Sequence, residues 1–278
     1  MTVKKIDLTS KTAPKDLYDS LANTGFAIIT NHRVDKDLIK SVYSEWEDFF
    51  NYSGKMEYKA KTGNASGFFP MKSENAKGYN VKDLKEFFHL FYPYREMPQG
   101  MTYSSAVLAL ELEGLGEQLL VDIDNEYSKR NNEYLCLSEM VSQSPNTLLR
   151  ILHYPPLPDD TEEGAVRAAA HEDINLITLL PVATQPGLEV KDLNGNWYSV
   201  GGDPGEVIVN VGDMLQEATR GKLISTTHRV VNPPVQAVNI PRYSMPLFLH
   251  PHPEVRLSER YTAGEYLDER LKEIGLKK

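Results

Sequence analysis

With 278 residues, 41% of them hydrophobic and 25% charged, the chain has the make-up of a folded globular protein of one large or two small domains, which excludes a disordered chain. A formal net charge of −9 without a Lys or Arg run excludes the clustered basic surface that nucleic acids need, so no nucleic-acid partner is expected. The single cysteine, Cys136, precludes an intrachain disulfide, and no stretch has the apolar length of a signal peptide or membrane span, so a cytoplasmic protein without a membrane partner is expected.

In chain order, Gly25-Phe-Ala-Ile-Ile-Thr30 is the first β-branched apolar run and predicts a strand. Asp35 stands where it caps a helix whose Leu38, Ile39, Val42, Tyr43, Trp46, Phe49 and Phe50 recur at helical spacing. Residues 60–100, rich in Gly, Asn, Pro and aromatics, read as irregular structure able to line a pocket. A second long helix is marked by Leu108, Leu112, Leu115, Leu119, Ile123 and Tyr127. Cys136 reads as a small buried hydrophobe.

From about residue 148 the texture changes to short apolar runs separated by turn residues. Ile174–Leu180, Leu188–Val190, Trp197–Val200, Glu206–Val211, Thr226–Val231 and Ser244–Leu249 are strand candidates, with Gln185-Pro186-Gly187, Asn194-Gly195, Gly201-Gly202 and Pro204-Gly205 between several of them. That spacing means a sandwich or barrel, and a jelly roll accommodates it. Thr262-Ala-Gly-Glu265 has the form of a capping box ahead of a terminal helix through Tyr266, Leu267 and Leu271. The helical half is expected to pack on the sheet and not to stand as a separate domain.

The chemistry is concentrated in the β half. Side chains two apart on a strand share a face with roots roughly 7 Å apart, so His171 and Asp173 can converge on one ion while Glu172 points away. His228, in the strand-like Ser225-Thr-Thr-His-Arg-Val-Val231, is the candidate third ligand. Two imidazoles and a carboxylate on one side of an octahedron suit iron(II) with positions left open, unlike the closed tetrahedron of a structural zinc site. Arg242 and Ser244 share a face in an extended segment, where a guanidinium fork with a neighbouring hydroxyl fits a carboxylate. His32, His89, His250 and His252 have no comparable partners and read as surface or core residues, and His153 points to the opposite face from Tyr154.

Three stretches carry a resemblance. Asn210-Val-Gly-Asp-Met-Leu-Gln216, Gly221-Lys-Leu-Ile-Ser-Thr-Thr-His-Arg-Val230 and Pro241-Arg-Tyr-Ser-Met-Pro-Leu-Phe248 resemble the isopenicillin N synthase-like group of iron(II)/2-oxoglutarate-dependent dioxygenases. Ile6-Asp7-Leu8, Gly25 to His32 and Thr262 to Leu267 resemble it too, so the likeness covers nearly the whole chain. It implies a mainly β fold with α, a distorted double-stranded β-helix (jelly roll) flanked by N-terminal helices and a C-terminal helix. Residues 1–278 would then be a single catalytic domain, with a mainly helical region over 1–135, the iron-bearing core over 148–250 and the C-terminal helix within 251–278.

Residue by residue, the resemblance makes His171, Asp173 and His228 the iron ligands. Arg242 and Ser244 match the pair that binds the far carboxylate of 2-oxoglutarate, and Tyr154 the tyrosine that adds a phenol hydrogen bond. Leu152 departs from the asparagine of many plant relatives. The implied reaction couples decarboxylation of 2-oxoglutarate, with O2, to hydroxylation or related C–H oxidation of a small-molecule substrate. Two other readings stay open. One is an iron oxidase of the isopenicillin N synthase or aminocyclopropane carboxylate oxidase type, which uses no 2-oxoglutarate; the other is a non-catalytic metal-binding jelly roll. Candidates for the substrate pocket are Phe69, Phe88 and Phe248, from the aromatic runs Gly67-Phe-Phe69 and Phe87 to Phe91 and the position beyond the arginine pair. The sequence leaves the oligomeric state open.

Overall fold

The computed structural model describes residues 2–61, 65–74, 82–158, 161, 165–234 and 239–273. Two sheets face each other. The larger contains β1 (Lys4–Asp7), β2 (Phe26–Thr30), β3 (Gly67–Phe69), β4 (Glu86–Phe91), β5 (Leu148–Tyr154), β7 (Ile177–Pro181), β10 (Val207–Val211), β12 (Arg242–Ser244) and β13 (Leu247–Leu249). The smaller contains β6 (Ala168–His171), β8 (Leu188–Lys191), β9 (Trp197–Ser199) and β11 (His228–Val230). The large sheet runs β1-β2-β10-β7-β13-β5-β4-β3, with β12 also on β5, and the small one β6-β11-β8-β9. The sheets do not join into a closed barrel, and their arrangement is a distorted jelly roll.

Alternation along the strands makes this a three-layer object. Leu149 and Ile151 of β5 join the core that the large sheet shares with the helices, whereas Leu152 and Tyr154 pack with Phe87 against Ala168 and Val230 of the small sheet. A second inter-sheet cluster brings Phe26, Ile28 and Ile208 against Leu188 and Val190. The metal-ligand candidates lie in the space that these clusters bound.

The outer face of the large sheet is covered by α1 (Ala13–Thr24), α2 (Lys36–Asn51) and α3 (Ser104–Asn131). Asp35 caps α2 as expected, its Oδ1 accepting from the N–H groups of Asp37 at 2.8 Å and Leu38 at 3.4 Å. Trp46, Phe49 and Phe50 then enter the core. Gly116 lets α3 lie close to the sheet: a Cβ there would come within 2.3 Å of Leu249 Cδ1. After two short helices, α4 (Leu137–Val141) and α5 (Asp213–Ala218), the chain reaches α6 (Ala263–Glu273). The capping box forms at its start, with Thr262 N donating to Glu265 Oε2 at 2.7 Å and Glu265 N to Thr262 Oγ1 at 3.2 Å.

Several expectations change. Residues 4–91 supply four strands, not one, and all four belong to the large sheet, so the N-terminal part is less helical than its sequence suggests. β3 and β4 lie inside the stretch read as irregular, because their phenylalanines occupy both faces of the strands and leave no apolar-polar alternation to read. The run Ser244–Leu249 divides into β12 and β13 at Pro246, which has no N–H for a ladder. Cys136 is exposed, in a left-handed conformation ahead of α4, and not a buried hydrophobe. Among the described residues no helix is long and apolar enough to cross a membrane.

Candidate metal centre

His171 ends β6 and His228 begins β11, and the two are directly paired across that antiparallel ladder. Their rings stand 4.4 Å apart, centre to centre. Asp173 lies just beyond the end of β6, where sequence spacing alone implied a regular strand. Asp173 Oδ1 is 3.7 Å from His228 Nε2 and 3.9 Å from His171 Nε2. One potential ligand atom from each residue lies within 4.8 Å of the other two. Glu172 points away and is exposed, accepting from Thr227 Oγ1.

Every other polar atom of these three side chains is engaged with the protein. His171 Nδ1 lies 2.8 Å from the Ala169 carbonyl and His228 Nδ1 3.1 Å from that of Thr226, a pairing that puts the proton on Nδ1 and leaves each Nε2 lone pair free. Asp173 Oδ2 accepts from Thr178 Oγ1 at 2.6 Å and Asn210 Nδ2 at 2.8 Å, which leaves Oδ1 for an ion. Burial and the neighbouring His228 push His171 down to about 4, against the opposing pull of Asp173, so the ring is neutral and able to ligate near pH 7. Burial acts to raise Asp173, but the neighbouring histidines together with the hydrogen bonds from Asn210 and Thr178 hold the carboxylate below its usual range. The donor set of two imidazole nitrogens and one carboxylate oxygen, convergent and otherwise satisfied, fits iron(II) with open positions.

Arg242 and Ser244 are buried at opposite ends of β12, and β12 is in register with β5 so that Arg242 faces Tyr154 and Ser244 faces Leu152. Arg242 donates Nε to the Gln185 carbonyl at 2.9 Å, while its Nη1 is buried and without a partner. Its guanidinium lies 5.2 Å from the centre of the Tyr154 ring. A buried guanidinium N–H with nothing to bond is costly, and a carboxylate of a bound molecule would satisfy it. Leu152 joins the apolar inter-sheet cluster, so this position offers such a molecule no polar contact.

The remaining candidates separate. Phe69 and Phe248 are half-buried on the inter-sheet side: Phe69 stacks on Phe87 at 4.7 Å, and Phe248 lies 5.6 Å from the Arg150 guanidinium. Phe88 does not join them. It occupies the other face of β4 and packs on Trp46 at 5.1 Å in the helix-covered core, because neighbouring residues of a strand point to opposite sides. His153 does lie opposite Tyr154, stacked on Tyr243 at 4.8 Å and bonded to Glu86.

Sequence reasoning missed Arg150, whose Nη1 pairs with Glu74 at 3.1 Å and whose Nε contacts His89 Nε2 at 2.8 Å. It also missed Thr178 and Asn210 behind Asp173. A signal was available, since Asn210 and Arg150 are each a lone amide or charge in an otherwise apolar strand-like run, and such residues are retained inside only with partners. His250, read as a surface or core residue, is half-buried, with a partnerless Nδ1 near enough to feel the charges of Asp173 and Arg150.

Comparison with known proteins places this geometry. Residues 145–251 match the 2OG-Fe(II) oxygenase superfamily, and residues 4–106 match the N-terminal region of the non-haem dioxygenases of morphine synthesis. The crystal structure of an oxygenase from Shewanella oneidensis is 45% identical with a TM-score of 0.86, over 99% of this chain and 100% of that one. The chain belongs to the 2OG-Fe(II) oxygenase superfamily. The crystal structure of a 2OG-Fe(II) oxygenase family protein from Caulobacter crescentus is 32% identical with a TM-score of 0.82, over 98% of this chain and 99% of that one. The 2-oxoglutarate-dependent dioxygenase citB of Monascus ruber is 27% identical over 277 residues, 91% of this chain and 83% of citB. As a superfamily member the protein is an enzyme, a non-haem iron(II) dioxygenase that draws on 2-oxoglutarate and O2.

Proposed function

We propose that His171, Asp173 and His228 hold the iron(II), that Arg242, Ser244 and Tyr154 receive the far carboxylate of 2-oxoglutarate, and that the oxidised molecule is small and polar. The observation that carries the reading is the division of labour within the three ligands: each turns one atom to the shared point and has its remaining polar atom bonded to the protein. The partnerless Nη1 of buried Arg242 supports the second part. When bound, iron and 2-oxoglutarate supply reductive activation of O2 for oxidising a C–H bond. The chain's own residues do the rest. The carbonyls of Ala169 and Thr226 fix the two imidazole tautomers, Arg242 orients the co-substrate from its far end, and the inter-sheet clusters exclude water from the space between.

The substrate class follows from what remains partly open around the ligands. Phe69, Phe248, Arg150, Glu74 and His250 are half-buried, and in this reading they form the wall a ligand would touch. Flat apolar surface beside a guanidinium and a carboxylate suits a compact molecule with both a ring or chain to pack and a donor-acceptor edge to pair. Glu74 and Arg150 offset one another, which favours a substrate that is neutral or zwitterionic at that edge. The β strands contributed by the N-terminal part lie in the same sheet as those of the C-terminal part, which supports one catalytic unit, and the lone cysteine supports a reducing, cytoplasmic setting.

The test is an anaerobic titration of the iron(II) protein with 2-oxoglutarate, followed by the visible charge-transfer band of the chelate. Wild type should develop the band. His171→Ala should lose iron and band together, whereas Arg242→Gln should keep the iron and weaken 2-oxoglutarate by about 10–100-fold, the worth of a charged hydrogen-bond pair. Unchanged iron binding in His171→Ala would sink the ligand assignment. Absence of the band in wild type would move the reading to an iron oxidase fed by another carboxylate ligand.

A further inference from the structure

Among the described residues, the charged groups around the site pair off except for two arginines. Lys85 Nζ lies 2.8 Å from Glu74 and 2.9 Å from Asp83, and Arg150 shares Glu74 at 3.1 Å. Asp173 faces the two histidines, and Arg242 is taken by the co-substrate in the reading above. Arg167 is left over. It sits directly before β6, is 2% exposed, and is among the largest fully buried side chains. Its Nη2 donates to the Ile240 carbonyl at 3.1 Å, and its Nε is buried without a partner. Among the described residues it makes no ion pair, and neither does Arg242.

The two guanidinium groups share a neighbour. Arg167 Cζ is 6.0 Å and Arg242 Cζ 5.2 Å from the centre of the Tyr154 ring, and each group carries a buried N–H with nothing to bond. Burial and the nearby charge of Arg242 both pull Arg167 below its usual pKa, as expected for two cations kept close in a poorly solvated place. Buried like charges persist together only where an anion compensates them. Arg167 also lies at the end of β6 away from His171; four steps along the strand, roughly 13 Å, separate their Cα atoms. It is therefore placed for the far end of a molecule reaching inward from the metal, and not for the end that reacts. The Ile240 carbonyl that orients it stands two residues before Arg242 in the chain, so both guanidinium groups are positioned by one short segment.

We propose that Arg167 is a second co-substrate-binding residue, completing with Arg242 a two-guanidinium clamp on the far carboxylate of 2-oxoglutarate. The proposal rests on the assignment of Arg242 above. Its consequence is selectivity: a 2-oxo acid lacking the far carboxylate leaves both cations uncompensated and binds much more weakly.

The experiment compares 2-oxoglutarate with 2-oxobutyrate, which keeps the chelating 2-oxo acid unit and lacks the far carboxylate. Dissociation constants are read from the anaerobic visible band in wild type, Arg167→Gln, Arg167→Lys and Arg242→Gln, with iron affinity and thermal melts measured alongside. Arg167→Gln should weaken 2-oxoglutarate by about 10–100-fold and leave 2-oxobutyrate within about twofold of wild type, with Arg167→Lys in between. A purely structural role would weaken both acids equally and overturns the proposal. So does unchanged 2-oxoglutarate affinity in Arg167→Gln, or in Arg167→Lys should the glutamine variant not fold. If 2-oxoglutarate is lost in Arg242→Gln alone, the clamp fails and the Arg242 assignment stands; if neither variant weakens it, the assignment of Arg242 fails as well.

Discussion

The carboxylate of Asp173 is held from behind by Thr178 and Asn210, both on Oδ2, so that Oδ1 alone is turned toward the histidines. Orientation of this kind contributes to metal affinity without touching the metal, and its loss typically costs 10–100-fold. Asn210→Ala should therefore weaken iron(II) binding by about that factor while His171 and His228 remain in place, measured by anaerobic competition with a chelator. Unchanged affinity would mean that Thr178 alone is enough to orient Asp173. At this scale the sequence was readable for residues whose type announces a chemistry: His171, Asp173 and His228, which the fold brings together, and Arg242, the proposed carboxylate anchor, stand out by identity. Thr178, Asn210 and Arg167 were not, because hydroxyls, amides and guanidinium groups serve many ends, and what singles these three out is a partner brought to them by the fold.

Among elements, the junction of α1 with β2 bears on the site most directly. Gly25 ends α1 at φ +70°, and a Cβ added there would come within 2.3 Å of Thr226 Oγ1 and 2.5 Å of the Ile224 carbonyl. Thr226 is the residue whose carbonyl holds His228 Nδ1, and Phe26, next along, sets its ring edge-on to His228 at 5.6 Å. Gly25→Ala combines a left-handed backbone, worth about 1–2 kcal/mol, with a displaced Thr226. It should lower unfolding stability by more than about 1 kcal/mol in denaturant titrations and weaken iron binding as well. Loss of stability with iron affinity intact would show that the Thr226 carbonyl adjusts independently. β2 and the capped α2 were legible from local pattern. β3 and β4 read as irregular and β5 is strand-like in sequence only at Tyr154, because apolar side chains on both faces leave no period-two signature of a half-exposed strand.

Across the whole molecule, the space between the sheets stores uncharged histidines. Burial and the charge of Arg150 push His89 down to about 3, and burial pushes His250 down to about 4, with Asp173 opposing and Arg150 reinforcing. An unfolded histidine titrates near 6.5, so the unfolded chain binds more protons than the folded one below that pH. The stability held by the neutral rings is complete above about pH 6.5 and is lost as pH falls toward 4. The iron-free protein should melt at a nearly constant temperature above neutrality and at falling temperatures from pH 6.5 to 4, by scanning calorimetry, and His250→Phe should flatten part of that slope. A slope confined to pH below 4 would assign acid sensitivity to carboxylates such as Glu74, which Arg150 and Lys85 hold below its usual range despite burial.

The mixed ancestry of the large sheet has a different kind of consequence. β2 runs between β1 and β10, and its Phe26 lies against a metal-ligand candidate carried by the other half of the chain. Recombination between relatives at a crossover near residue 140 would split this wall between two parents, and would succeed only where their Phe26 and His228 environments had stayed compatible. If Phe69 walls the substrate pocket as proposed, exchanging the β3–β4 region between relatives should alter substrate range while leaving the metal-bearing half intact.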